Sequence, residues 1–536
     1  MQYCGMQAEG RHATVNKSVN EYEIFKQRYN LLEKENQKLK ADIIILNEYH
    51  RKYLEIKERY DLLIYKKFVR SAEQTAIDDR QASLFTEETE EAQAVTESKS
   101  EETTEVKSYQ RKKPGRKAID PNIPRVEHII DISENKKTCA CGAALTRIGE
   151  ETSEKLHIIP QQIYVEQIIR LKYACRHCEG VETEGIAPTV RIAPVPPAII
   201  PKSIVSPDLL STIITYKFER HLPYYRQEKL YEQIGASISR QDMSNWQQQA
   251  FRKLSPLFDL LKKEVKNGPV IQMDETTVQV IGEEGRKDTQ KSYMWLARGG
   301  PPDKKVVWYE YHPTRSAYNA KEFLQGYSGY LQTDGYEGYD AAIRGMPGII
   351  HVGCFAHARR KFFEASKATT KPRSAEEGMK YIRKLYYIEN EIRTQFTDEE
   401  RFVNERKKHA VPVLEEFKKW LLKRSEEVPP TLLLGKAIHY SLAQWDKMTT
   451  YLESYYLTPD NNACENAIRP FVLGRKNWLF SQSPDGAESS CGMYTLIETA
   501  RHNGLVPINF LTALFEKAPL ASSAEDWQKL LPWNIF

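Results

Sequence analysis

The sequence lacks any run of about 18 apolar residues that could span a bilayer. It also opens without the charged-then-apolar pattern of a secretory signal. Cysteine is scarce, with eight in 536 residues, and two close pairs are not the dense framework of a secreted disulfide-rich domain. A soluble chain of the reducing cytosol is expected. An excess of one charge is missing too: 77 Lys and Arg stand against 73 Asp and Glu, a formal net charge of +4. Bulk charge therefore does not mark a nucleic-acid partner, and local patches carry more weight. What is present is length. At 536 residues the chain exceeds what one hydrophobic core supports, so several domains in series are expected.

From residue 22 to 67 a seven-residue repeat sets Tyr29, Asn36, Ile43, His50, Lys57 and Ile64 at one seam position. Leu32, Leu39, Leu46, Tyr53 and Tyr60 occupy the other. That spacing predicts a coiled coil and a homodimer or higher oligomer, with Asn36 favouring one register. A long amphipathic helix packed on its own chain is the alternative. Residues 71–106 then turn Glu/Thr/Ser-rich, with Glu87, Glu88, Glu90 and Glu91 clustered; too little apolar surface is available to fold, and a disordered linker is expected. A basic segment follows, with Arg111, Lys112, Lys113, Arg116 and Lys117 around Pro114-Gly115. It suits phosphate contact or minor-groove insertion, or is simply a solvated tail.

Cys139-Ala140-Cys141 and Cys175-Arg176-His177-Cys178 flank a strand-like stretch. Two thiolate pairs on turns can close a tetrahedral Zn²⁺ site that staples a module too small to hold itself together. The first pair is one residue tighter than a usual knuckle, so His177 is a substitute ligand, and reduced surface cysteines are the alternative. Next, 207–218 and 225–234 read as helices, Gly235 as a stop and Ser239 as the cap of a third helix over 240–250. Arg240, Gln241, Ser244 and Asn245 on that last helix are what major-groove reading by a helix-turn-helix requires. Plain packing is the competing reading.

Residues 269–280 alternate and are β-branched, a strand with Asp274 near its middle. Strands at 291–298 and 305–311, a helix near 320–327, a strand ending in Asp334 and a strand over 348–354 complete the order of a ribonuclease-H-like fold. Asp274 and Asp334 then sit on neighbouring strands. Two hard Mg²⁺ (or Mn²⁺) ions need a further oxygen ligand. Glu465 supplies it, in a segment whose Asp460, Asn461 and Asn462 can cap a helix. Arg469 lies one turn later on the same face. Cys354 and Cys464 read as small core residues, and Trp478-Leu479-Phe480 as packing. The helical stretches 380–393, 399–424 and 432–455 interrupt the fold as an insertion.

These residues resemble the transposases of the insertion-sequence-66 family. The similarity rests on the Pro-Gly-Arg-Lys segment, the two cysteine pairs, His221-Leu222-Pro223-Tyr224-Tyr225-Arg226-Gln227, Asp274-Glu275-Thr276, Thr333-Asp334-Gly335-Tyr336, Cys354-Phe355-Ala356-His357-Ala358-Arg359-Arg360-Lys361, and the block from Glu465 through Gly474-Arg475-Lys476-Asn477-Trp478. Thr277 stands where the family commonly has proline, and Asn466 where it commonly has arginine; neither change removes a carboxylate. The resemblance implies that Asp274, Asp334 and Glu465 are the catalytic, metal-binding triad. His357, Arg359, Arg360, Arg469, Arg475 and Lys476 are then expected to position DNA phosphates or strand ends.

The expected architecture is α/β multidomain. A coiled coil at 18–70 is followed by a disordered acidic linker at 71–110, the basic segment and zinc module at 111–195, and the helix-turn-helix region at 196–262. The ribonuclease-H-like core takes 263–366 and 456–505, around a helical insertion at 367–455, with a C-terminal segment at 506–536. The expected activity is metal-dependent cleavage and strand transfer of double-stranded DNA at terminal inverted repeats, in the bacterial cytoplasm at the nucleoid, with possible accessory proteins of the same element. A DNA-binding regulator or inactive relic, and a nuclease that never joins strands, are the alternatives.

Overall fold

A computed structural model describes residues 6–68, 162–174, 190–368 and 372–536. The acidic linker, the basic segment and the cysteines Cys139, Cys141, Cys175 and Cys178 lie outside the described residues.

The chain begins with one long helix, α1 (Met6–Phe68). Its heptad stripe faces solvent, with apolar exposures from 56% for Leu39 and Ile43 to 68% for Leu46 as far as Tyr60 and 38% at Ile64 in the last turns, so no other described element covers its length. Only its last turns dock. There Glu58 Oε2 accepts the Leu433 amide at 2.9 Å, Tyr65 packs edge-on against Phe363, and Lys66 pairs with Glu364 at 2.9 Å.

A short antiparallel ribbon, β1 (Lys172–Ala174) with β2 (Val190–Ile192), leads into four helices: α2 (Pro207–Phe218), α3 (Tyr224–Gln233), α4 (Arg240–Lys253) and α5 (Ser255–Glu264). Their ends follow from local chemistry. Ser206 caps α2 through the Leu209 amide, with Pro207 preset at the first helical position. Ser239 caps α4 through the Asp242 amide, and Gly235 turns the chain between α3 and α4 at φ +85°.

The sheet is next: β3 (Val270–Gln279), β4 (Lys291–Gly299), β5 (Val306–His312), then α6 (Ala317–Phe323), β6 (Gly329–Gln332), α7 (Glu337–Ile343) and β7 (Ile349–Val352). Spatial order is β5-β4-β3-β6-β7. The first three strands are antiparallel, whereas β6 runs parallel to β3 and β7 parallel to β6. Then come α8 (Phe355–Lys367), α9 (Arg373–Gln395), α10 (Glu399–Glu427), α11 (Leu433–Ala443) and α12 (Trp445–Thr449). The chain returns through α13 (Asn462–Trp478), α14 (Pro484–His502), α15 (Pro507–Lys517) and α16 (Ala524–Lys529). An edge strand carries donors that need partners. For β5, α14 supplies them: the Thr499 and Thr495 hydroxyls accept the Val307 and Tyr309 amides at 3.1 and 3.0 Å.

Two cores result. One joins α2–α5, the sheet, α6, α7 and α13–α16, from Ile199 to Ile535. The other joins Val352 and α8 to α9–α12, and at its foot the fully buried Arg406 pairs with Glu389 at 2.7 Å. The helices expected at the front end and the C-terminal segment therefore share the core of the sheet. Two local expectations are corrected. The strand carrying Asp334 stops at Gln332, because the Asp334 carboxylate accepts the Tyr336 amide at 2.9 Å and Gly335 turns at φ +88°, taking the chain out of the sheet. The short α7 that follows was not expected.

Candidate active site

Asp274 lies mid-way along central β3, paired with Leu296 of β4. Asp334 sits two residues beyond neighbouring β6, and Glu465 in the first turn of α13. The three meet electrostatically. Burial, together with the charges of Glu275, Asp334 and Glu465, holds the Asp274 carboxyl well above the usual carboxylate range. Burial likewise raises Glu465, with Arg360 opposing and Asp460 and Asp334 adding. Carboxylates that destabilise one another in this way are oxygen donors whose repulsion a cation would relieve.

The scaffold around them is hydrogen-bonded. Of the Asp460, Asn461 and Asn462 cluster expected to cap α13, Asn461 makes no cap bond. Instead its Nδ2 donates to the Met273 carbonyl at 3.0 Å, pinning the start of α13 to the residue before Asp274. Capping falls to Asp460, which accepts the Asn462 amide at 3.0 Å. Below, Gln272 Nε2 donates to Gln332 Oε1 at 2.9 Å across β3 and β6. From the insertion, the Tyr440 hydroxyl donates to the Asp334 carbonyl at 2.8 Å. A Cβ on Gly335 would stand 2.9 Å from that hydroxyl. Gly335→Ala is therefore expected to cost about 1–2 kcal/mol from the left-handed backbone alone and to displace Asp334, read as a lower melting temperature together with weaker Mg²⁺ binding in calorimetry. Unchanged Mg²⁺ affinity would refute the coupling.

Glu275, adjacent to Asp274, was not singled out in the sequence. Its side chain is 2% exposed. Arg315 Nε donates to Oε1 at 2.6 Å, the Tyr339 hydroxyl donates to Oε2, and Arg315 stacks on Tyr336 at 3.8 Å. Burial still raises its carboxyl. Glu275 is thus held at both carboxylate oxygens by its own side-chain partners.

Helix α8 brings His357 and Arg360 to the glutamate. Arg360 Nη2 lies 3.4 Å from Glu465 Oε2, and His357 Nδ1 lies 3.7 Å from Oε1. Burial and Arg360 push the His357 imidazole down to about 4, so it is neutral at pH 7. His357 Nδ1 and Glu465 Oε1 are both buried without a hydrogen-bond partner. This oxygen is unmet, and the Asp334 charge acts on Glu465 as the Glu465 charge acts on Asp274; such an oxygen suits a divalent cation.

Other expected residues divide. Arg359 and Arg469 are half-buried, and Lys476 is exposed. Arg475 Nη1 donates to Thr276 Oγ1 and Thr277 Oγ1 at 3.2 and 3.1 Å and to the Thr277 carbonyl, fastening α13 to β3. On α4, Arg240, Gln241 and Asn245 face solvent and Ser244 is half-buried, while Met243, Trp246 and Gln247 face inward. Gln247 Nε2 donates to Ser489 of α14 at 2.7 Å. The packing expected of Trp478-Leu479-Phe480 holds for Trp478, edge-on against Phe471. Leu479 and Phe480 are 64% and 41% exposed, because Leu479 ends α13 at φ +68° and Ser481, two residues on, bridges to Val280 beside β3.

Comparison with known proteins bears on this geometry. The family model described as "Transposase IS66 family" matches residues 202–489, a span that holds the whole carboxylate cluster. The chain belongs to the IS66 transposase family. Three further models of the family match: its zinc-finger binding domain at 136–179, its C-terminal element at 495–533, and "Transposase C of IS166 homeodomain" at 55–127. Among relatives, the uncharacterized protein y4jD of Sinorhizobium fredii is 31% identical over 427 residues, 78% of this chain and 81% of the relative. The uncharacterized protein y4hP of the same organism is 30% identical over 467 residues, 83% of this chain and 81% of its own. The solved Mos1 transposase paired-end complex with left transposon end overlaps 50% of this IS66-family chain and 82% of its own at 14% identity and a TM-score of 0.13, too loose to establish a shared fold. No helix among the described residues is long and apolar enough to cross a membrane.

Proposed function

We propose that this IS66-family protein binds the terminal inverted repeats of an insertion sequence and catalyses DNA cleavage and strand transfer at Asp274, Asp334 and Glu465. One observation carries the reading: Asp274, buried on β3 and raised first by that burial and then by Glu275, also feels the charges of Asp334 from beyond β6 and Glu465 from α13. The order β5-β4-β3-β6-β7, three antiparallel strands followed by two parallel ones, supports a ribonuclease-H-like core interrupted by α9–α12. The triad would hold Mg²⁺ (or Mn²⁺). When bound, such ions supply charge neutralisation at the phosphate and activation of the attacking oxygen.

The chain's own groups do the rest. Arg360 orients Glu465, Tyr440 fixes the Asp334 backbone, and Asn461 and Arg475 hold α13 against β3. Strand hydrolysis would free a 3′-hydroxyl that attacks target DNA at the same centre. The exposed face of α4, with Arg240, Gln241, Ser244 and Asn245, would read the major groove as the second helix of a helix-turn-helix. Arg359, Arg469 and Lys476 would meet phosphates, and Cys139, Cys141, Cys175 and Cys178 would hold a structural Zn²⁺. The exposed stripe of α1 would pair two chains as a coiled coil, so that both element ends are processed together.

The test is strand transfer by purified protein on a labelled element end. Joined product is expected with Mg²⁺ or Mn²⁺ and none after chelation with EDTA. Cleavage without joining would indicate a nuclease, and binding without either a regulator.

A further inference from the structure

We propose that Cys354, His357 and Glu465 form a second metal site, selective for a thiophilic divalent cation such as Zn²⁺, and that filling it withdraws Glu465 from Asp274 and Asp334. One ligand atom from each lies within 4.8 Å of the others. Cys354 is the N-cap of α8 and His357 follows three residues later, so both sit on the same face of its first turn. The opposite wall is the first turn of α13. The two helix starts are tied together, since the Phe355 amide donates to the Pro459 carbonyl at 2.9 Å and the Asn461 amide to Cys354 Sγ at 3.3 Å. Cys354 is 1% exposed, so its sulfur is shielded from bulk solvent.

Two unmet atoms point into this space. Glu465 Oε1 and His357 Nδ1 stand 3.7 Å apart with no hydrogen-bond partner, and the glutamate side chain is only 10% exposed. Metal–ligand bonds of roughly 2.0–2.3 Å place tetrahedral ligands roughly 3.3–3.8 Å from one another. The His–Glu separation already meets that, and the sulfur needs a contraction of about one ångström from the outer limit. Thiol and imidazole donors suit Zn²⁺ and Co²⁺ and are poor ligands for Mg²⁺, which takes oxygen. Binding replaces the thiol proton, released to solvent, with a sulfur–metal bond. Arg360 keeps Oε2 while the ion takes Oε1, and its nearby charge makes the ion exchangeable, unlike one held by four thiolates. Binding stands independently of the proposed activity; only its inhibitory consequence rests on that reading.

The full-length protein, isolated with its native metal content and kept in Mg²⁺, is titrated with Co²⁺ while the near-ultraviolet thiolate-to-cobalt band is followed. Cys354→Ser is expected to lose one equivalent and its share of the band. Cys491→Ser, at a buried cysteine on α14, is expected to keep both. His357→Gln removes a second ligand and is expected to lose the same equivalent. In strand cleavage, the Zn²⁺ concentration that halves activity should rise roughly 10–100-fold in Cys354→Ser. Identical stoichiometry and band in the wild type and in a folded Cys354→Ser protein would overturn the site. A Cys354-dependent band in a protein that never cleaves DNA would leave the site standing and remove the transposase activity.

Discussion

Asp334→Ala is expected to lose strand joining by about three orders of magnitude while binding element-end DNA as tightly as the parent. Metal stabilisation of a phosphoryl transition state is worth several kcal/mol, and each 1.36 kcal/mol is tenfold in rate. DNA affinity is expected to survive because the residues proposed to touch DNA on α4 lie outside the carboxylate cluster. The same variant carries a second expectation of opposite sign. Asp274 has a raised carboxyl in the fold, partly through Asp334. Its contribution to stability is complete below the unfolded value of about 3.9 and is lost as pH climbs through the raised one. At neutral pH the metal-free cluster therefore weighs against folding, and removing Asp334 lightens it. Without Mg²⁺ the variant should melt above the wild type at pH 7, with the gap closing near pH 4. A lower melting point at pH 7, or unimpaired joining, would sink the assignment of Asp334.

Arg406→Leu is the largest stability effect expected, about 3–5 kcal/mol in denaturant unfolding. This guanidinium is fully buried in the insertion. It pairs with Glu389 at 2.7 Å and donates to the carbonyls of Tyr451, Ser454 and Leu457. Truncation strips a donor from each of these carbonyls, although Leu457 keeps Arg393 and Ser454 keeps the Leu457 amide, and it leaves Glu389 with Arg393 alone. Breaking one side of a buried pair costs more than replacing both, so Glu389→Leu/Arg406→Leu should recover part of the loss. The carbonyls belong to the segment that delivers Glu465, so the single variant should also weaken Mg²⁺ binding. A cost below about 1 kcal/mol would mean that the segment is held by apolar packing alone.

Legibility in the sequence followed the range of the forces. Ser206, Pro207 and Ser239 act within one turn, and the starts of the two helices they open were readable to the residue. The strand carrying Asp274 was readable from its alternating, β-branched residues, although β3 and β4 bury consecutive residues over 271–273 and 294–297. The reading failed where a distant partner decides the outcome. Asn461 carries a capping residue type, yet the Met273 carbonyl of β3 claims its amide. Nothing local announced that Arg475 would donate to Thr276 and Thr277 of β3. Glu275 sat in plain view beside Asp274, but only Arg315 and Tyr339, 40 and 64 positions away, separate its part from that of its neighbour. Tyr440, deep in the insertion, gave no local sign that it braces Asp334. In α7, Gly338 masked a helix only seven residues long.

Helices α2 and α4 are bonded into the body that carries the chemistry. Ser211 of α2 meets Thr512 of α15 at 2.6 Å, and Gln247 of α4 meets Ser489 of α14 at 2.7 Å. A reader tethered by a linker can sample many offsets; one cast into the same block has a single gauge length. On the proposed reading, the number of base pairs between the recognised sequence and the severed bond is then a property of the folded block. Redesigning the solvent face of α4 should change which ends are chosen and leave the position of the cut where it was.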